Sequence, residues 1–184
     1  MKKRILFLGM LLSVGLICAC SSSDDINNES DEFINFTSID EGDIFVELSD
    51  FFKTAFTTEK KEAFNFKNNL SNEENPCIVI NNEDEFMEAY TGGLNLPAID
   101  FSKYILIIGK VYLPAGTFID DMSIRQTNSA KTTLYINCIQ DTKGCYVGVM
   151  YYDYYWKLFP KFYVSKINVE ISREKGEVDN NKKR

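Results

Sequence analysis

Residues 103 to 113 read KYILIIGKVYL, and the placement of this run decides the fold. Its apolar stretch is long enough for a central strand covered on both faces, because a strand with one wet face alternates apolar with polar residues. Working outward, Pro114-Ala115-Gly116 turns the chain and residues 118 to 125 form the next strand. QTNSAK turns it again, and strands over residues 132 to 139, 145 to about 152 and 163 to 171 follow. Upstream, NPCIVI reads as another strand. With strands this frequent and connections this short, the expectation is an α+β domain: predominantly antiparallel β-sheet, meander or sandwich-like, with one or two helices packed on it.

Helix signals are confined to two places. Asn82 followed by Glu85 three residues later has the form of a capping box and predicts a helix from Glu83 to about Thr91, with Phe86, Met87 and Tyr90 on its apolar face and Gly92-Gly93 beyond it. Leu48, Phe51, Phe52, Ala55 and Phe56 lie at helical spacing behind Ser49 or Asp50 as a cap. That spacing favours a short helix, although the same residues fit a short strand with a return through TTEKKEAFNF. Residues 33 to 46 alternate as one or two strands around Glu41-Gly42-Asp43.

The ends have a different character. Met1-Lys2-Lys3-Arg4, an apolar stretch from Ile5 to Ile17 and the small residues before Cys20 have the order of a secretion signal, too short to span a bilayer. Ile17-Cys18-Ala19-Cys20 is similar to a bacterial lipobox, which implies cleavage after residue 19 and lipid on Cys20. Several acyl chains on one cysteine hold a protein to a membrane, since each buried methylene contributes about 0.8 kcal/mol. Residues 20 to 32 then form a flexible acidic tether, residues 33 to 172 a single β-rich domain, and residues 173 to 184 a disordered polar tail. Ser21-Ser22-Ser23-Asp24-Asp25 is similar to the acidic export tags of Bacteroidetes surface lipoproteins. Surface-exposed and periplasm-facing attachment at the outer membrane both remain open.

Composition narrows the function classes. The net charge of −7 becomes −10 once Lys2, Lys3 and Arg4 are removed, and so acidic a surface repels nucleic acid and anionic headgroups. The chain contains no histidine, which removes Ser-His-Asp and Cys-His nucleophiles and histidine-bearing zinc sites. A glycosidase working with two carboxylates survives that exclusion. Cys77, Cys138 and Cys145 remain in the domain, too few and too widely spaced for zinc without histidine. A Cys138 to Cys145 disulfide would clip a hairpin; a three-residue Thr142-Lys143-Gly144 loop would instead put the two on opposite faces as free thiols. No metal and no cofactor is expected.

The layout from Cys77 to Ile171 resembles the C-terminal domain of the protease-complex subunit PrcB and related Bacteroidetes lipoproteins. The strand CIVI, the helix NEDEFMEAY, the DFSKY leading into the central strand, TLYINCI, the aromatic YVGVMYYDYYWKLFPK and the closing INVEI carry it. The family's Gly-rich turn is reduced here to Pro114-Ala115-Gly116. The resemblance implies a non-catalytic accessory domain with a protein partner in the cell envelope, and it brings no catalytic residues.

The carboxylate groups have bland explanations. Glu83-Asp84-Glu85 sits where a helix dipole favours negative charge, and Asp120-Asp121 interrupts a strand in the manner of a bulge or a weak calcium site. The aromatic run is the remaining candidate. Read by parity, Met150, Tyr152, Tyr154, Trp156 and Leu158 share one face, while Tyr151, Asp153, Tyr155, Lys157 and Phe159 share the other. Those rings either cover a second layer or leave Tyr152, Tyr154 and Trp156 as a ledge for a partner protein or a glycan. The expectation is a lipid-anchored, non-catalytic interaction module of the cell envelope. A carbohydrate-binding surface lipoprotein is the alternative, and a carboxylate glycosidase comes third.

Overall fold

A computed structural model describes residues 33–57, 61–67, 74–127, 131–146, 148–164 and 166–177. These fall within the unit Asp31–Arg184. The expected signal, the tether and lipidated Cys20 lie outside the described residues, as do residues 178–184 of the expected tail.

The chain forms β1 (Phe33–Thr37), α1 (Asp43–Ala55), a 3-10 turn (Lys61–Ala63), β2 (Cys77–Ile80), α2 (Glu83–Ala89), β3 (Tyr104–Pro114), β4 (Thr117–Thr127), β5 (Thr132–Asp141), β6 (Met150–Pro160) and β7 (Ile167–Gly176). β2, β3 and β6 make one antiparallel sheet in that order, with β3 in the middle. β1, β4, β5 and β7 make a second sheet. The expected α+β class holds, with two helices on a mostly antiparallel framework.

β3 is central because both its faces are covered. Ile105, Ile107, Val111 and Leu113 pack against Met122, Ile124, Leu134 and Ile136 of the four-stranded sheet. Leu106 and Ile108 point the other way, into a second core with Leu48, Phe51, Phe52 and Ala55 of α1 and Phe86 and Ala89 of α2. The molecule is thus layered as sheet, sheet and helices, and the four consecutive apolar residues of β3 serve two cores at once. Each such buried side chain contributes about 1.5–3 kcal/mol relative to exposure.

Several expectations change. β3 and β4 are joined by a tight turn yet lie in different sheets, so Ala115 and Gly116 carry the chain between layers. Gly116 has φ 81°, and a Cβ there would overlap the Tyr146 ring, so a side chain at this corner meets both strain and a clash. β5 pairs with β7 in parallel, not in the expected meander, because β6 between them belongs to the other sheet. β7 continues to Gly176, four residues past the expected domain end at 172, held by its register with β5 out to Asp141 and Gly176. The helical alternative for residues 48 to 56 is the right one, but α1 begins at Asp43, within the segment expected to alternate as strand. Val46 is accordingly exposed on the helix surface. The return strand through TTEKKEAFNF is absent among the described residues there, which hold a 3-10 turn and a single bridge from Phe64 to Tyr90.

α2 starts on the expected capping box. Asn82 Oδ1 accepts from the Glu85 N–H at 2.8 Å, while Glu85 Oε2 accepts from the Asn81 N–H at 2.6 Å. That accounts for Glu85 structurally.

One feature of the inter-sheet core carries a cost. Tyr155 crosses over Gly109, where a Cβ would overlap its ring, and its hydroxyl is buried against the Cys77 thiol, a weak hydrogen-bonding partner. A thiol bonds weakly, so it offsets only part of the cost of burying a hydroxyl, about 1–3 kcal/mol when nothing offsets it. Tyr155→Phe should therefore raise stability in urea unfolding by about 1 kcal/mol; a loss of similar size would show that the Cys77 contact outweighs the cost of burying the hydroxyl.

Candidate functional site

The helices do not reach along the whole of the sheet they cover. On that face Leu106 lies opposite Leu158, Ile108 opposite Trp156, Lys110 opposite Tyr154, and Tyr112 opposite Tyr152. The first two pairs are roofed by α1 and α2 and belong to the helix-side core. The last two pairs run out beyond the roof.

The expected ledge is therefore graded. Trp156 is half-buried, stacked on Phe52 with centroids 4.9 Å apart and flanked by Phe45 at 5.4 Å, so α1 has taken it into the core. Tyr154 lies against Phe56 at 5.6 Å and Phe66 at 6.4 Å, with the Lys61 ammonium 5.9 Å above its ring. Burial pushes its phenol pKa upward, and the nearby Glu62 carboxylate adds to the effect. Tyr152 is 43% exposed and stands 5.0 Å from Tyr112, which is 37% exposed. Lys110 bridges this end of the sheet, its ammonium 4.7 Å from the Tyr152 centroid and 5.4 Å from that of Phe66.

The resulting platform consists of Tyr112, Tyr152, Tyr154, Phe66 and Lys110. Sequence reasoning found two of these and missed Lys110, Tyr112 and Phe66. A signal was present in β3: the positions that share a face run Leu106, Ile108, Lys110, Tyr112, and the change to polar-tipped residues after Ile108 marks where the cover stops.

Along β6, a groove of about 340 Å³ is lined by residues of β4, α1 and both faces of β6. Its wall on β4 is the irregular step between Ile119 and Asp121, so the expected bulge is present. Asp120, Asp121 and Asp153 all line this groove. Among the described residues no three His, Cys, Asp or Glu side chains are placed to share a metal ion.

Cys138 and Cys145 are free thiols, and so is Cys77. Cys138 is buried in the inter-sheet core and Cys145 is exposed in the connection after β5. The hairpin that would have aligned them does not form. β5 and β6 belong to different sheets, and β6 begins at Met150, not Cys145. Burial pushes the Cys77 thiol up to about 12 and the Cys138 thiol up to about 11. Neither is a reactive nucleophile at neutral pH.

Among the described residues no helix is long and apolar enough to cross a membrane. No family model, no curated protein and no solved structure matches the chain.

Proposed function

We propose that this chain is a non-catalytic accessory module of the bacterial cell envelope, attached to the outer membrane through lipid on Cys20 and docking a partner protein on the aromatic platform. The observation that carries the docking role is the end of the helix roof. Beyond Ile108 and Trp156 the sheet face continues as Lys110, Tyr112, Tyr152 and Tyr154, with two tyrosines more than a third exposed. Rigid aromatic rings give large contact area at small entropic cost and dominate protein interfaces. The envelope location rests on the lipobox-like Ile17-Cys18-Ala19-Cys20, and the accessory role also on the resemblance to the PrcB domain.

A partner protein fits better than a glycan. The Tyr112 and Tyr152 rings are inclined at 45° and one carries a lysine over its face, so no flat stacking surface is presented. Asp153, the local carboxylate that would bond sugar hydroxyls, belongs to the opposite face of β6. The glycosidase reading needs two carboxyls in a sheltered site, whereas Asp120 and Asp121 are exposed on an open groove.

The test uses the full chain expressed in its own envelope. After in situ cross-linking, the protein carrying Tyr112→Ser with Tyr152→Ser should lose its partner, an effect of about 2 kcal/mol or more, roughly thirtyfold in affinity, with an unchanged melting temperature. A glycan array should stay blank. Equal partner recovery by the variant refutes docking at the platform, and a Cys20→Ala protein that stays in the membrane fraction refutes the anchor.

A further inference from the structure

We infer that the domain makes a direct contact of its own with the bilayer: the strand ends around Phe33, Ile34 and Tyr163 seat in the membrane interface and hold the aromatic platform away from it. The inference rests on the lipid attachment proposed above and adds an orientation that a lipid anchor alone does not supply.

The three side chains are brought together by backbone pairing. β1 enters the four-stranded sheet beside the end of β4, with Phe33 opposite Thr127 and Ile34 opposite Gln126. Gln126 Nε2 donates to the Tyr163 C=O at 2.8 Å, which draws the segment after β6 against the same strand ends. β5 and β7 begin here as well, since Thr132 lies opposite both Gln126 and Ile167. The inter-sheet core closes at Phe36, stacked on Phe162 with centroids 4.4 Å apart. Alternation sends Ile34 to the same face as Phe36 and Phe33 to the opposite one. The start of β1 thus projects beyond the core with an apolar side chain on each face. Phe33 and Ile34 are each 54% exposed and Tyr163 is 76% exposed. Single exposed apolar residues need no explanation, but three gathered at one end of a domain mark an interaction site.

The route of the chain and the rim of the patch select the occupant. Only residues 20 to 32 separate Cys20 from Phe33, so lipid on Cys20 keeps this end within about 45 Å of the bilayer even at full extension. Tethering makes the contact effectively intramolecular, at a concentration on the order of millimolar, so weak insertion is enough to hold it. The rim supplies exposed Lys131, Lys161 and Lys166. The Lys131 C=O accepts from the Thr127 N–H at 3.0 Å, beside Phe33, while Lys161 and Lys166 stand on either side of Tyr163 in the chain. Asp100, in the turn that meets Lys161, is held by Lys103 at 2.9 Å. Apolar and tyrosine rings within a rim of lysines form the composition of a membrane interface, where rings sit at headgroup depth and lysine stems lie along apolar surface with the ammonium in water. These lysines need no anionic lipid to take that position.

The geometry also places the platform. Tyr104 pairs with Pro160 at the seated end of β3 and β6, and Tyr112 with Tyr152 roughly 26 Å further along at 3.3 Å per residue. Seating one end therefore presents Tyr112 and Tyr152 away from the bilayer, where a partner protein reaches them.

The test uses the full chain in membranes of cells that express it, loaded with phosphatidylethanolamine bearing a photoactivatable diazirine on its acyl chain. After illumination, mass spectrometry locates the labelled residues. Label should fall on Phe33, Ile34 and Tyr163 and be absent from Tyr112 and Tyr152. Phe33→Ser with Tyr163→Ser, both at exposed positions, should cut the label read at Ile34 and Val164 about fivefold or more, with the same amount of chain in the membrane fraction and an unchanged melting temperature. Tyr112→Ser with Tyr152→Ser should leave that label as it was. The inference is overturned by equal labelling of the Phe33→Ser, Tyr163→Ser protein, by label at Tyr112 and Tyr152 in place of this end, or by label that disappears as the amount of chain per lipid rises, which would make the occupant a second copy. A chain missing from the membrane fraction overturns anchor and seating together, whereas a chain retained there without label at this end overturns the seating alone.

Discussion

Phe52→Ala should lower the unfolding free energy by about 3–5 kcal/mol, the usual range for emptying a buried phenylalanine site. Phe52 is 1% exposed. Its ring is stacked on Trp156 at 4.9 Å, and it meets Phe56 at 5.1 Å, Phe64 at 6.1 Å and Phe86 at 6.4 Å. It therefore joins α1, α2 and the roofed end of β6, and no neighbouring side chain can fill its place without pulling a helix off the sheet. For a domain whose total stability is about 5–15 kcal/mol, such a loss is a large fraction. Trp156 is the only tryptophan, so its fluorescence reports on this contact directly in urea unfolding. A loss under about 1.5 kcal/mol would mean that the helix layer is held mainly by other contacts.

The second large effect is alkaline. Burial pushes the Cys77 thiol from an ordinary value of 9.0 up to about 12, and burial with the Cys77 neighbour pushes the Tyr155 phenol upward too. Both are acids that stay neutral in the folded protein. Above about pH 9 the unfolded chain ionises its thiol and the folded chain does not, so the unfolded state is favoured progressively. The contribution is whole below about pH 9 and is lost as pH rises toward 12, by an amount on the order of 4 kcal/mol from Cys77. Urea titrations at a series of pH values should show a shallower alkaline decline for Cys77→Ala than for the unaltered protein. Equal slopes would show that the thiol is accessible to water in the folded state.

Much of the architecture is legible in the chain because the signals are local. The apolar run of β3, the capping box at Asn82 and Glu85, and the helical spacing of Leu48, Phe51, Phe52 and Ala55 each depend on residues within a few positions of one another. Parity in β6 correctly groups Tyr152, Tyr154 and Trp156 on one face, since alternation is a property of any strand. The helix start at Asp43 was less legible. Gly42 caps it with φ 91° and without a side-chain hydrogen bond, so no cap residue advertises it.

The rest is long-range. That β3 and β4 part company at Gly116, that β7 returns parallel to β5, and that Cys138 and Cys145 sit apart all depend on which sheet β6 joins. Hydrophobic burial is non-directional and leaves that choice to the packing of the whole domain. The exposure of the aromatic rings follows the same logic. Sequence alone determined that the strand is aromatic on one face, because side-chain alternation needs no partner. Only the tertiary structure decided that α1 covers Trp156 and stops short of Tyr152, because the cover is supplied by residues about a hundred positions away and ends where that helix ends.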